Sequence, residues 1–510
     1  MSIVLLNLNC ASHSIWLVHY DWTPEKLQSL PTQADYPEAA AVILLDEAHL
    51  EVHKMSEFSV TDIQRHTVVK IFNDRGYKYA NVVVPYDKNS NLYYIEARTI
   101  LPDGTIIPLK KDHIFDTNLY PDFVFYSDIR AKRFTMPAVE EGCIVEYTWH
   151  KSINRFSFWT GWQFQKEDPV LVSKYNVRCP EGWDLHWKTY GIDIKPEVDD
   201  VLDGMKANHT WKVHNLPGYV PEISMAPGSK EIPRIMFSPL GVTQWDDIAR
   251  WYDDLARDKM QPDDAIRLRT QQLIKDVTDP KEKLKTIFDF VRDHIRYIAI
   301  EIGIGSYQPH DAEYVLENRY GDCKDMSTLL IAMGNAAGLK IEPVLISSWY
   351  NGTVDTSVVS QAHFNHLIAR AELPDSTIVW MDPTEKRCPF GELPWYDQDR
   401  LVVAVDGPKA IIQRTPRLSA SQNLSKRQWN IDVDTRGNAT GTATMTFTGA
   451  QASELRRQMQ AMHPAHISSW FGRELLSLFP LAHYDKVEIE NMTAYEKPLI
   501  IHCQFSANRL

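Results

Sequence analysis

The chain has 510 residues, too many for one ordinary hydrophobic core, so two to four domains are expected. Apolar residues make up 44% and charged residues 24%, a globular balance that excludes a disordered chain. The formal net charge is −13 with no basic stripe, a surface that repels phosphate backbones, so nucleic acid is not an expected partner.

The opening "MSIVLLNLNCASHSIW" has a short apolar piece with no Lys or Arg before it, and Asn9 stands where a lipoprotein cysteine is preceded by a small residue. Residues 1–32 therefore read as a poor leader, which leaves cytoplasm and export both open. No apolar run approaches the ~18–20 residues of a membrane span, so no transmembrane segment is expected.

Residues 33–215 read as an all-β, sandwich-like domain. Runs such as "HTVVKIF" (66–72), "YANVVVPY" (79–86) and "YYIEARTI" (93–100) are parted by turn signals, with Asp103-Gly104 a strong hairpin pair. The Pro- and Gly-rich stretch 216–239 reads as a linker.

From 240 to 412 the period changes, and helices followed by strands suggest an α+β domain. A helix begins at Thr243, with Asp246 as a weak capping box and Trp245, Ile248, Tyr252 and Leu255 on one face. A second opens at Asp279-Pro280 with Glu282 reaching back, and Leu284, Ile287, Phe288, Val291 and Ile295 recur at helical spacing. A third follows "RYGDCKD" (319–325), where Asp322 caps, Met326, Leu329, Leu330 and Met333 form an apolar stripe, and Gly338 is the stop. From 418 to 510 the chain returns to β, with a hairpin around Arg436-Gly437-Asn438, one or two short helices and two closing strands. This β-rich domain reads as one that continues in a longer parent chain.

The six cysteines, Cys10, Cys143, Cys179, Cys323, Cys388 and Cys503, are far apart with no CxxC pair, which argues against structural zinc or a dense disulfide scaffold. Cys323 differs from the others in its setting. In the first turn of a helix, unpaired N–H groups and the dipole favour a thiolate by about 0.3–1 kcal/mol, too little to make a nucleophile without a base. Asp322 and Asp325 act against it.

A base is supplied downstream. The runs 363–371 and 377–382 flank the loop "ELPDS", and a register that sets Ala371 against Thr377 places His366 opposite Asp382. A slip of one residue would separate them onto opposite faces. The set reads as a Cys323–His366–Asp382 nucleophilic triad, with the oxyanion met by backbone N–H groups at the helix start. Tyr320 and Gln308 are further candidates for an oxyanion donor or cleft residue. Gln308 and His310 also fit a turn, and His363 with His366, an odd three residues apart on a strand, does not make a metal pair, so no metal or other cofactor is expected. "GIGS" (303–306) lacks the Lys-Ser/Thr of a phosphate loop.

"RYGDCKDMSTLLIAMGNAAGL", "FNHLIARAEL" and "WMDPTE" resemble the Cys, His and Asp motifs of the bacterial transglutaminase-like superfamily. "HIRYIAIEIGIGSYQPHDAEYVLENRYGDCKD" resembles the run-up in a branch that carries an N-terminal β-domain of unknown function. The resemblance implies a papain-like core, a peptidase or transamidase acting on peptide or protein amides through Cys323, His366 and Asp382, and a periplasmic or cell-envelope setting with an envelope partner. The rival expectation is a non-catalytic envelope scaffold built on the same core.

Overall fold

The computed structural model describes residues 21–54, 59–119, 126–127, 129–154, 161–180, 185–200, 206–223, 225, 231–239, 241–301, 307–463, 466–467, 469–470 and 482–508. Residues 1–20, most of the expected leader and Cys10 included, and "GIGS" at 303–306 lie outside them.

The N-terminal domain is built on one eight-stranded sheet whose long strands include Ala41–Lys54, Ser59–Ile71, Ile144–Asn154, Val170–Pro180 and Lys206–Leu216. Period-two alternation gives the sheet two apolar faces. Ala41, Ile43, Val69 and Ile71 pack beneath Val82, Val84 and Phe134 of one three-stranded sheet. Leu50, Val52, Tyr175 and Trp211 pack beneath Trp162, Ile235 and Phe237 of another. Val42, Leu44, Ile100 and Ile144 face the other way, where Trp22, Leu27, Leu30 and Tyr36 cover them. The Asp103-Gly104 turn joins two strands as expected, with Gly104 at φ +88°. The segment read as a linker contains a strand, Arg234–Phe237, which pairs with both Trp162–Gln163 and Trp187–Tyr190.

The central domain places helices α1 (Trp245–Ala256), α2 (Asp264–Ile274), α3 (Pro280–His294), α4 (Ala312–Asn318) and α5 (Cys323–Ala336) before a sheet. The strands are β1 (Ile341–Ile346), β2 (His366–Glu372), β3 (Ile378–Met381), β4 (Leu401–Asp406) and β5 (Lys409–Arg414). They run antiparallel in the order β3-β2-β1-β4-β5. α1 starts two residues after Thr243, with Gln244 at its cap. The Asp247 carboxylate accepts from the N–H groups of Thr243 and Gln244 at 3.0 and 3.1 Å. α3 begins at Pro280, where the Asp279 side chain accepts from Glu282 N at 2.9 Å. All five residues of its predicted stripe are buried.

α5 is the hub. Lys324 to Gly334 are all buried, because α2, α3, α4 and the sheet enclose the helix on every side. Met326, Leu329, Leu330 and Met333 form its apolar stripe within one core with Ile248, Ile287, Leu367 and Val403. Gly338, at φ +76°, ends it. The C-terminal domain is a four-stranded sheet, Ser425–Val433, Ala439–Phe447, Leu499–Ala507 and Ala482–Glu490 in that order, with helix Gly449–Gln460 packed on it.

Candidate active site

Cys323 is the first residue of α5, half-buried, held there by a closed capping box. The Asp322 carboxylate accepts from the N–H groups of Lys324 (3.1 Å) and Asp325 (3.3 Å), and Asp325 accepts from Asp322 N (3.2 Å). The Lys324 ammonium pairs with Asp322, offsetting much of the negative charge beside the thiol. The cap uses the amides of Lys324 and Asp325 and leaves that of Cys323 as the helix-start donor beside the sulfur. Gly321 is required here, because a Cβ on it would sit 2.5 Å from Asp325 Cβ.

His366 opens β2 opposite Ile346, and its neighbour Asn365 is locked to Ser348 by two hydrogen bonds of 2.9 Å. Ser327 on α5 donates to Leu367 O at 3.2 Å, which fixes the cysteine helix against the histidine strand. Asp382 directly follows β3. Its Oδ1 accepts from Thr384 N (2.9 Å) and Oγ1 (2.7 Å), and its Oδ2 lies 3.3 Å from His366 Nε2. The other ring nitrogen, Nδ1, is left free of Asp382, and Cys323 lines the same cleft as the imidazole and adds to the rise in its pKa.

The β2–β3 register differs from the expected one. Ala371 pairs with Val379, not Thr377, because the turn tightens to Pro374-Asp375-Ser376, with Ser376 at φ +66° and Leu373 N bonded to Thr377 O. The shift is two residues, an even number, so His366 and Asp382 remain on one face and meet diagonally.

A fourth group stands in the cluster. Asp397, 0% exposed, ends a short 3-10 turn (Trp395–Asp397) and brings Oδ2 to 3.7 Å from His366 Nε2. Burial opposes charge on His366, but the Asp382 charge and hydrogen bond, the Cys323 contact and Asp397 outweigh it and hold the imidazole well above its ordinary range. Burial works against the Asp382 anion too, yet His366 and Thr384 keep that carboxyl below its usual value.

Cys323 and His366 open onto a cleft of about 310 Å³ lined by both of the first two domains. Trp251 and Tyr252 of α1, Tyr307, Leu345 and Phe364 form the core side, and Asp87 and Ile129 of the N-terminal domain form the opposing lip. The same lip is tied to the core where Tyr126–Ser127 pairs in parallel with Ile300–Glu301. The Tyr252 hydroxyl is buried with no hydrogen-bond partner among the described residues, and its environment includes Cys323, Asp322 and Asp325. Burial foremost, then those negative groups, push the phenol well above its ordinary value, so it is a donor that stays protonated.

The other sequence candidates lie elsewhere. Tyr320 does not line the cleft, and its hydroxyl pairs with that of Tyr314 at 2.8 Å. Gln308 donates to Leu255 O at 3.3 Å, also outside the lining, and His310 braces Asp325, with its N–H 2.8 Å from Oδ1. His363 is not on the strand with His366. It sits in a 3-10 turn with Nε2 bonded to Val358 O at 2.7 Å. Cys388 is buried, and its thiol is pushed well up by that burial. Cys143, Cys323, Cys388 and Cys503 are free thiols. Among the described residues no helix is long and apolar enough to cross a membrane.

Comparison with known proteins follows the same division. Residues 268–381 match the model of the transglutaminase-like superfamily, and residues 61–220 match DUF3857, a domain of unknown function. No curated protein matches the chain. Among solved structures it is similar to a "putative protease" from Parabacteroides distasonis, at 14% identity and a TM-score of 0.60 over 92% of this chain and 94% of that one. At that identity the likeness is one of fold. A "putative cysteine protease" from Cytophaga hutchinsonii is also matched, at 10% identity over 64% of this chain and 78% of that one. Its TM-score is 0.20, too low to compare folds. The central segment of this chain is therefore a core of the transglutaminase-like superfamily, set behind a DUF3857 domain.

Proposed function

We propose that the chain is a cysteine acyl-transfer enzyme that hydrolyses peptide or protein amides. The observation that carries the reading is the meeting of three side chains from three separate elements. They are a helix-terminal thiol and an imidazole on the adjoining strand, both at the wall of one cleft, and a buried carboxylate at the end of the next strand behind the imidazole. The superfamily match and a fold neighbour described as a protease favour this reading over a scaffold, which would not need all three groups.

In this mechanism the Cys323 sulfur attacks the scissile carbonyl while His366 Nδ1 takes the thiol proton. Asp382 holds Nε2–H and steadies the imidazolium. The oxyanion is met by the Cys323 backbone N–H and the Tyr252 hydroxyl, the donors that the cap and the core leave unused. The tetrahedral adduct collapses to a thioester as His366 protonates the departing amine, and water then repeats the sequence to release the acid. We favour hydrolysis over transamidation because, among the described residues, the cleft beside the thiol offers no second site for an amine.

A peptide library incubated with the full chain tests this. The expected result is cleavage that Cys323→Ala abolishes, together with alkylation of Cys323 that slows by ~10²-fold or more in His366→Ala, the usual worth of a positioned base. An alkylation rate equal to that of a free thiol and indifferent to His366 would sink the proposal.

A further inference from the structure

Asp397 has no part in a three-residue mechanism, yet it is built into the site with care. Its backbone N–H donates to Pro394 O at 2.9 Å, and its carbonyl accepts from Thr415 Oγ1 at 2.6 Å, so the side chain is aimed by its turn. The side chain is wholly buried, and neither carboxyl oxygen has a hydrogen-bond donor among the described residues.

The groups that face it are few. His366 comes from β2, Asp382 follows β3, and Arg400 precedes β4. Tyr396 and Cys388 come from the intervening loops. Arg400 spends its guanidinium on the carbonyls of Ser347 (2.8 Å) and Gly352, and the Tyr396 hydroxyl donates to Glu385 at 3.4 Å. His366 Nε2 has one proton and two carboxyl oxygens in front of it, at 3.3 Å for Asp382 and 3.7 Å for Asp397. One N–H does not satisfy both. A buried carboxylate offers about four acceptor positions and is very unfavourable with none of them filled. A neutral carboxyl removes the charge and gains a donor, and a carboxyl oxygen of Asp382 lies within 4.8 Å of it.

We infer that Asp397 is a positioning residue that keeps a proton at neutral pH and donates it to Asp382, so that the two carboxyls present a single shared negative charge to His366. The inference rests on the proposed function for its catalytic consequence, though not for the proton itself. Thr384 fixes one oxygen of Asp382, and Asp397 fixes the other, which sets the plane of the carboxylate against the ring. A second full anion at this distance would hold the imidazolium so firmly that it became a poor acid toward the leaving amine. The electrostatics agree with the geometry. Burial foremost, and then the Asp382 charge, push Asp397 far up, whereas Asp382 is held down, a pair driven apart into one acid and one base.

The same atoms, within 4.8 Å of one another, would also suit a divalent cation, and the test separates proton from metal. Wild type, Asp397→Asn and Asp397→Leu are compared as full chains. Asparagine keeps a donor toward Asp382 without a titrating group, and leucine removes it at similar volume. The expected result is an infrared carbonyl band of a protonated carboxylic acid in the wild type at neutral pH that Asp397→Asn lacks. Alkylation of Cys323 should stay within about threefold of wild type, with an unchanged pH profile, in Asp397→Asn, and fall about tenfold in Asp397→Leu. The inference is overturned if Asp397→Asn loses as much as Asp397→Leu, since the group would then act as an anion. It is overturned as well if the band is absent, or if purified wild type carries an equivalent of zinc that Asp397→Asn does not. A library with no cleaved peptide refutes the proposed enzyme and leaves the band to decide the proton. Should Asp397→Leu not fold, the band and the Asp397→Asn profile still decide the question.

Discussion

Replacing Tyr252 with phenylalanine should move activity and stability in opposite directions. The ring is core, packed from α1 at 3% exposure, and phenylalanine keeps that contact. Only the hydroxyl goes, and it is buried with no partner among the described residues. An unsatisfied buried polar group costs about 1–3 kcal/mol, so its removal should stabilise the central domain by about 1 kcal/mol or more. For a domain of this size that is a rise of roughly 2–4 °C in its melting transition. If the hydroxyl is the oxyanion donor, kcat should fall by about 10²–10³, or ~2.7–4 kcal/mol, with KM little changed, because the interaction exists only in the transition state. The assay is steady-state cleavage of a peptide found by the library, paired with calorimetry of the same preparation. An unchanged kcat removes Tyr252 from the oxyanion site. A loss of stability would mean that the hydroxyl has a partner in solution and that the reasoning from its isolation is wrong.

Three further outcomes follow from the same geometry. The raised His366 contributes stability fully below its unfolded value of about 6.5 and loses it as pH rises through the folded value, whereas the depressed Asp382 contributes above about 3.9 and loses it as pH falls. Asp397, raised on folding, adds a decline of its own above about pH 3.9, so wild-type urea midpoints should fall from about pH 4 upward, whereas in Asp397→Asn they should plateau from about pH 4 to beyond 6.5, with an alkaline fall that vanishes when His366→Ala is added. Ile129→Asp, on the N-terminal lip of the cleft, should raise KM severalfold while leaving kcat and Cys323 alkylation near wild type, and an unaffected KM would show that substrate does not touch that lip. Met333→Ala, at 0% exposure in α5, should lower the stability of the central domain by about 2–5 kcal/mol by denaturant titration, with a smaller loss if the surroundings collapse onto the space.

The parts of the site that sequence reveals are those with local causes. Asp279-Pro280-Glu282 and Asp322 announce helix starts because capping is settled within three residues, and the structure places both where that chemistry requires. The hairpin was legible as a hairpin but not in its register, since Ser376 takes a left-handed conformation that shortens the loop by one residue on each side. Its faces survived because the error was even. Tyr252 was visible only as one more residue on an apolar stripe. Nothing in a helical period tells an ordinary core ring from one that also lines a cleft. Asp397 lies in an irregular turn, 15 residues beyond Asp382, and tertiary packing alone puts it against His366. The strand Arg234–Phe237 was hidden by flanking prolines at 233 and 239, and its partners lie far back in the chain.

The cleft's two sides are made at different times. Asp87 and Ile129 leave the ribosome some two hundred residues before Cys323, and His366 emerges later still. On the proposed function, the lip residues are synthesised before the nucleophile, so a lip that folds as it emerges would screen the groove from the moment Cys323 and His366 meet. If the proposed function holds, a central segment cut free of its forerunner would lack that screen, and promiscuous attack, self-cleavage included, is the behaviour such a fragment should display.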